Sequence, residues 1–186
     1  MDKAKINLTE LFDVLQFAAE KHFNQRRSGY DPLPYINHLI KVCSVLVTIA
    51  QKEDKTLLQA ALLHDAMEDG HANFEEIAEK FGESTAEIVR ELSDDMALPY
   101  EERKNNQILS AKSLSDEAKL IRIADKGCNL QDIFSYPLNW AVDRKMAYLE
   151  NAIKVVEQIE DVNRSLKEWF YQQVQWARSV ADPDSL

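Results

Sequence analysis

From Leu8 onward, apolar residues recur at Leu8, Leu11, Phe12, Leu15, Ala18 and Ala19, a single stripe at the 3.6-residue helical period. The stripe predicts a helix ending near Phe23. Residues 24–34 are polar and include Gly29, Pro32 and Pro34, so they read as a loop that stops one helix and admits the next. A second helix is expected over about 35–50. Asp54 is placed to cap a third, whose segment 57–63 is apolar nearly all round and therefore central to the core, with Gly70 at its end. Asn73 with Glu76, and Ser84 with Glu87, have capping-box spacing and open two more helices separated by Gly82, a suitable left-handed stop. Pro99 suits the first turn of another. Ser115, followed by Asp116 and Glu117, starts a helix holding Leu120, Ile121, Ala124 and Cys128. Pro137 interrupts, two long segments over 139–160 and 163–180 follow, and 181–186 form a frayed tail. With no repeat, low-complexity tract or linker, the pattern predicts one compact all-α domain over 1–186.

Composition agrees with helices. Only 4 Gly and 5 Pro occur in 186 residues, too few for the many tight turns of a sandwich or barrel. With 22 Lys+Arg against 32 Asp+Glu the net charge is -10, which argues against a nucleic-acid partner, since phosphate-backbone affinity needs clustered cations. Cys43 and Cys128 make no disulfide framework and fit a reducing compartment. The polar start and the lack of any run of roughly 18 apolar residues predict a cytoplasmic protein with no membrane partner; a homo-oligomer stays open.

His64 is followed directly by Asp65 in the most apolar helix of the chain. Burying an ionised carboxylate there is costly unless a metal, a cation or hydrogen bonds compensate. A core histidine with a hydrogen-bonded neighbour is the plain alternative. Glu68 and Asp69 follow four residues after His64 and Asp65, which places all four on one side of the expected helix. Acidic groups at a helix C-terminus oppose its dipole, a conflict that a divalent cation would remove. Neighbouring helical residues diverge by about 100° and cannot enclose an ion alone, so further ligands must come from elsewhere. His38, among Ile36, Leu39 and Ile40, and Asp125, in an otherwise apolar run, are the candidates. Together the four make a mixed nitrogen and oxygen set suited to Mn, Fe, Co or Zn. His22 and His71 read as surface groups, and Trp140, Trp169 and Trp176 as packing residues.

The order His38, His64-Asp65, Asp125 resembles the HD superfamily of metal-dependent phosphohydrolases. The segments Gln25-Arg26-Arg27, Pro34-Tyr35-Ile36-Asn37-His38, the run from Ala60 to Asp69, and the run from Ala118 to Lys126 with Asn129-Leu130 resemble its stringent-response branch, the RelA/SpoT-type and stand-alone small alarmone hydrolases. The resemblance implies Mn2+-dependent hydrolysis of guanosine tetraphosphate or pentaphosphate, releasing pyrophosphate from the 3′ position, with His38, His64, Asp65 and Asp125 on the metal. Glu68 and Asp69 would orient water and take its proton. Arg27 and Arg26 would neutralise substrate phosphate, and Asn129 would contact the sugar or hold a ligand. Three departures stand out: Leu39 where the family usually has Pro, Ser28 where many members have Lys, and Gly127-Cys128 in place of a larger pair near the expected nucleotide pocket. The alternatives are an HD-type nucleotide or NADPH phosphohydrolase, and a silent module that only binds alarmone; the intact Glu68-Asp69 pair argues against the last.

Overall fold

In the computed structural model, residues 4–28, 33–135 and 138–181 are described. Gly29, Pro32, Pro137 and the tail beyond Ala181 lie outside them. The described residues form nine α-helices: α1 (Leu8–Lys21), α2 (Ile36–Thr48), α3 (Lys55–Leu63), α4 (Phe74–Phe81), α5 (Glu83–Leu92), α6 (Tyr100–Ser110), α7 (Asp116–Ser135), α8 (Val142–Glu157) and α9 (Arg164–Ala181), with one 3-10 turn at Ala111–Ser113. Pairing outside helices is limited to two isolated bridges, Lys5 with Asp54 and Arg26 with Pro34. The fold is all-α, as the periodicity predicts.

Local chemistry sets most helix starts. Asn7 and Glu10 form a reciprocal capping box on α1, Asp54 accepts from the Leu57 N–H, and Asn73 accepts from the Glu76 N–H. Gly82, at φ +94°, ends α4 and begins α5 in one residue. The expected Ser84–Glu87 cap is therefore not used: Glu83 is already helical, so Ser84 has no free first-turn position to serve. Regular helix α3 also stops earlier than expected, at Leu63, and His64 to Gly70 continue as successive turns in which the Ala66 N–H bonds Leu63 O and the Asp69 N–H bonds Asp65 O.

The helix α7 is the centre of the molecule. It packs against α2, α3, α5, α8 and α9, and its buried face includes the charged Lys119, Arg122, Asp125 and Lys126 as well as Ile121, Ile123 and Leu130. Against α9 the approach depends on Gly127, where any Cβ would overlap the Trp169 ring. Gly127 and the fully buried Cys128 are not among the residues that line the cavity described below, although the adjacent Lys126 is. The missing side chain is needed for helix packing. Trp169 is buried and Trp176 half-buried, in line with packing roles, whereas the half-buried Trp140 lines the cavity described below. Among the described residues no helix is long and apolar enough to cross a membrane.

Candidate active site

Three elements meet at one corner of the core. His38 comes from the first turn of α2, His64 from the end of α3 with Asp65 after it, and Asp125 from the middle of α7. One ligand atom each of His38, His64 and Asp65 lie within 4.8 Å of one another. Asp125 Oδ1 is 3.1 Å from His38 Nε2 and 3.7 Å from His64 Nε2, while Asp65 Oδ2 is 3.2 Å from His64 Nε2. His64 Nδ1 lies 2.8 Å from Ala61 O and donates to it, which turns Nε2 toward the corner. His38 Nδ1, His38 Nε2 and His64 Nε2 are buried with no hydrogen-bond partner among the described residues. Unpartnered buried imidazole nitrogens beside two carboxylates fit a divalent transition ion.

The charges at the corner are strongly coupled. Burial opposes ionisation of Asp125, but the two imidazoles outweigh it and hold the carboxyl well below its usual range; Asp65 is lowered in the same way, chiefly by His64. Burial also opposes a charge on His64, yet Asp65 and Asp125 raise its pKa to about 9, whereas burial lowers that of His38. Tyr35, a residue not anticipated, donates its hydroxyl to Asp65 Oδ2 at 2.7 Å.

Glu68 and Asp69 are held apart by different partners. Glu68 Oε2 accepts from the Asp94 N–H at 3.0 Å, and burial first, with Asp94 and Asp65 adding, raises its pKa. Asp69 is exposed and accepts at Oδ2 from Gln25 Nε2 at 2.8 Å. These ties, with that from Tyr35 to Asp65, explain why the segment leaves the regular helical path after Leu63.

Asp65, Asp125, Tyr35, Gln25, Glu68 and Asp69 line a cavity of about 390 Å³, whose wall also carries the cations Arg26, Arg27, Lys104, Arg122 and Lys126. Arg27 Nη2 donates to Asn129 Oδ1 at 2.5 Å and to Asp132 Oδ2 at 3.0 Å, and its guanidinium lies over the Tyr35 ring. Asn129 in turn donates to Asp125 Oδ1 at 2.6 Å, so its amide bridges Arg27 to the metal corner. Arg26 also lines the cavity but is exposed, with its guanidinium on the Phe23 and Gln25 carbonyls. Ser28 is on the cavity wall, and Leu39 is fully buried in the core.

Several lining residues are not apparent from the order of the chain. Lys126 is buried, donates to Gln107 Oε1 at 2.8 Å, and has its pKa lowered by burial to about 8. Arg122 donates to Leu92 O, Lys104 is 3.5 Å from Asp94, and Trp140 and Tyr148 close the far side. The available clue was the i, i+4 pair Arg122 and Lys126 inside an otherwise apolar run, together with Asp132 following Asn129 on the same helical face. One expectation is overturned: His22 is 3% exposed, because its ring stacks on Tyr35 as the chain turns out of α1.

Known proteins agree with this geometry. The HD domain family matches residues 14–149. The guanosine-3′,5′-bis(diphosphate) 3′-pyrophosphohydrolase MESH1 of Drosophila melanogaster is 41% identical over 159 residues, covering 85% of this chain and 89% of that protein. Its human counterpart of the same name is 41% identical over 160 residues, covering 86% and 89%. A solved structure of a metazoan orthologue of SpoT that hydrolyses ppGpp superposes with a TM-score of 0.88 at 38% identity, covering 95% of this chain and 99% of that one. With the HD ligand order brought to one corner and these relatives matching along nearly their whole length, the chain belongs to the HD-domain family, in the branch of the guanosine-3′,5′-bis(diphosphate) 3′-pyrophosphohydrolases.

Proposed function

We propose that this protein hydrolyses guanosine 3′,5′-bis(diphosphate) and the corresponding pentaphosphate at the 3′ position, yielding pyrophosphate and GDP or GTP, with Mn2+ held by His38, His64, Asp65 and Asp125. The observation that carries the reading is the set of unpartnered imidazole nitrogens beside two carboxylates, at the edge of a cavity whose other wall bears Arg27, Lys104, Arg122 and Lys126. A divalent ion at that corner supplies Lewis acidity toward a phosphoryl oxygen and toward water.

The side chains divide the remaining work. Water adds to the phosphorus attached to ribose O3′, the bond from phosphorus to O3′ breaks, the proton lost by the water goes to a carboxylate, and the departing O3′ takes up a proton, from that carboxylate or from solvent, to become the 3′-hydroxyl. Glu68, with its raised pKa, and Asp69, held by Gln25, orient that water and accept the proton. Arg27 exchanges Asp132 for a substrate phosphate oxygen, and Arg26 adds a solvent-facing charge at the rim. Asn129 keeps Asp125 and Arg27 in register through its two amide atoms. The buried ammonium of Lys126 is a further phosphate partner, since a nearby anion restores the charge that burial disfavours.

The test is product analysis. Metal-free protein is given a panel of nucleotides and NADPH, and Mn2+, Co2+, Zn2+ or Mg2+ is restored singly. Pyrophosphate from the 3′ side, fastest with Mn2+, is the expected result. Orthophosphate from 5′-nucleotides or NADPH, with guanosine polyphosphates untouched, overturns it.

A further inference from the structure

Around Asp69 lies a second nitrogen and oxygen cluster. His22 caps the C-terminus of α1 and His71 follows the turns that carry Glu68 and Asp69. One ligand atom from each of His22, Asp69 and His71 falls within 4.8 Å of the others. The two imidazole rings meet edge to face with centroids 4.8 Å apart.

The Gln25 carboxamide joins all three. His22 Nδ1 is 2.5 Å, and His71 Nε2 is 3.1 Å, from Gln25 Oε1, so both N–H groups donate to one oxygen, while Gln25 Nε2 donates to Asp69 Oδ2 at 2.8 Å. Two imidazole nitrogens thus aim at a single point beside a carboxylate. Removing their protons would turn the same two directions into lone pairs converging on that point. The other nitrogen of His22, Nε2, is buried without a partner, so the ring has an uncommitted site to which its proton can move as Nδ1 takes a new role. Gln25, Asp69 and His71 also line a second, solvent-open cavity of about 430 Å³, which provides an entry path and room for Gln25 to turn aside or keep its oxygen as a further ligand.

We infer that His22, Asp69 and His71 form a second binding site for a divalent transition ion, separate from the catalytic corner and joined to it through Asp69. Two imidazoles and one carboxylate select Zn2+, Co2+, Ni2+ or Cu2+ over Mg2+ and Ca2+, which prefer oxygen. The site is inhibitory: an ion there draws Asp69 away from Gln25 and from the water it orients. The inhibitory part rests on the proposed role of Asp69, whereas binding itself does not.

The experiment counts ions without substrate. Protein stripped with chelator is dialysed against saturating Co2+ or Zn2+ and analysed by atomic emission, with the visible Co2+ spectrum recorded during titration. The intact protein should hold about two ions per chain and His71→Ala about one, with loss of the spectral change that accompanies the second equivalent. His64→Ala should lose the other ion and keep this one. One ion per chain in the intact protein overturns the site without recourse to any variant, as does His71→Ala that still holds two. In a parallel assay, Zn2+ added to the Mn2+-loaded enzyme should inhibit the intact protein and spare His71→Ala, whose basal activity is unchanged. A second ion that binds without inhibiting supports the site and counts against a role for Asp69 in water activation.

Discussion

The metal corner and the cationic wall of the main cavity are both built from charged groups in the core, but they are left in opposite states. At the wall each cation already has a partner: Arg27 with Asp132 and Asn129, Lys104 with Asp94, Arg122 with the Leu92 carbonyl, Lys126 with Gln107. At the corner no aligned hydrogen bond joins the imidazole nitrogens to the Asp65 and Asp125 oxygens 3.1 to 3.7 Å away. Paired cations can exchange one oxygen partner for another when phosphate arrives, at small net cost. Unpartnered buried nitrogens are a standing demand for a cation. The corner should therefore behave as a unit that fails completely, and the wall as a set of contacts that fail by degrees.

The strongest break in that comparison is loss of a corner residue. His64→Ala or Asp125→Ala should lose the catalytic ion and bring turnover to background, read by metal analysis beside activity; either variant that keeps both its metal and its rate removes that residue from the corner. Chelation of the intact protein should do the same, with recovery best in Mn2+.

Next in size are the carboxylates between the two regions. Glu68→Gln and Asp69→Asn should each lower kcat by roughly 10²-fold or more while metal content stays near normal. If both turn over at the parent rate the proton-accepting role is wrong, and if one loses its metal that residue belongs to the corner.

A wall residue should cost less. Arg27→Ala removes a charge-assisted contact worth about 1.5 kcal/mol, roughly tenfold in KM, with bound metal unaffected. Unchanged kinetics would leave Arg27 as only the partner of Asp132.

The smallest effect is on stability against pH. In the metal-free protein His64 titrates at about 9 rather than at the ordinary 6.5, so its folded form holds a proton that the unfolded chain gives up first. That contribution is fully present below 6.5 and is lost as pH rises, so Tm should fall between 6.5 and about 8, beyond which Lys126, lowered to about 8, begins to act with the opposite sign. On the proposed site, Mn2+ should displace the His64 proton and abolish the slope. A metal-free Tm that is flat or rising across that window would show that His64 is not charged.

Polar residues set in apolar helical runs are legible in the amino-acid order alone: His38 among Ile36, Leu39 and Ile40, His64-Asp65 after Leu62 and Leu63, and Asp125 after Ile123 and Ala124. Their burial cost forces a partner, which is why the corner they share can be read from the chain. Helix starts at Asn73 and Ser115 are equally plain, because a cap is a contact within three residues. Ser84 misleads because the same local rule ignores Gly82, whose positive φ lets one helix begin where the last one ends.

By itself, then, the amino-acid order determined the all-α class, most helix starts and the four polar residues that meet at the corner, since each follows from local periodicity, capping or the cost of burial. Tertiary structure decided what those residues touch. Arg27 meets Asp132 across 105 positions, Gln25 meets Asp69 across 44, and Tyr35 meets Asp65 across 30. The burial of His22 against Tyr35, and its meeting with His71, depend likewise on how α1 and the turns after α3 pack together. Such contacts leave no periodic trace, because a hydrogen bond between distant segments is specified by the packing of whole helices and not by the spacing of the residues that make it.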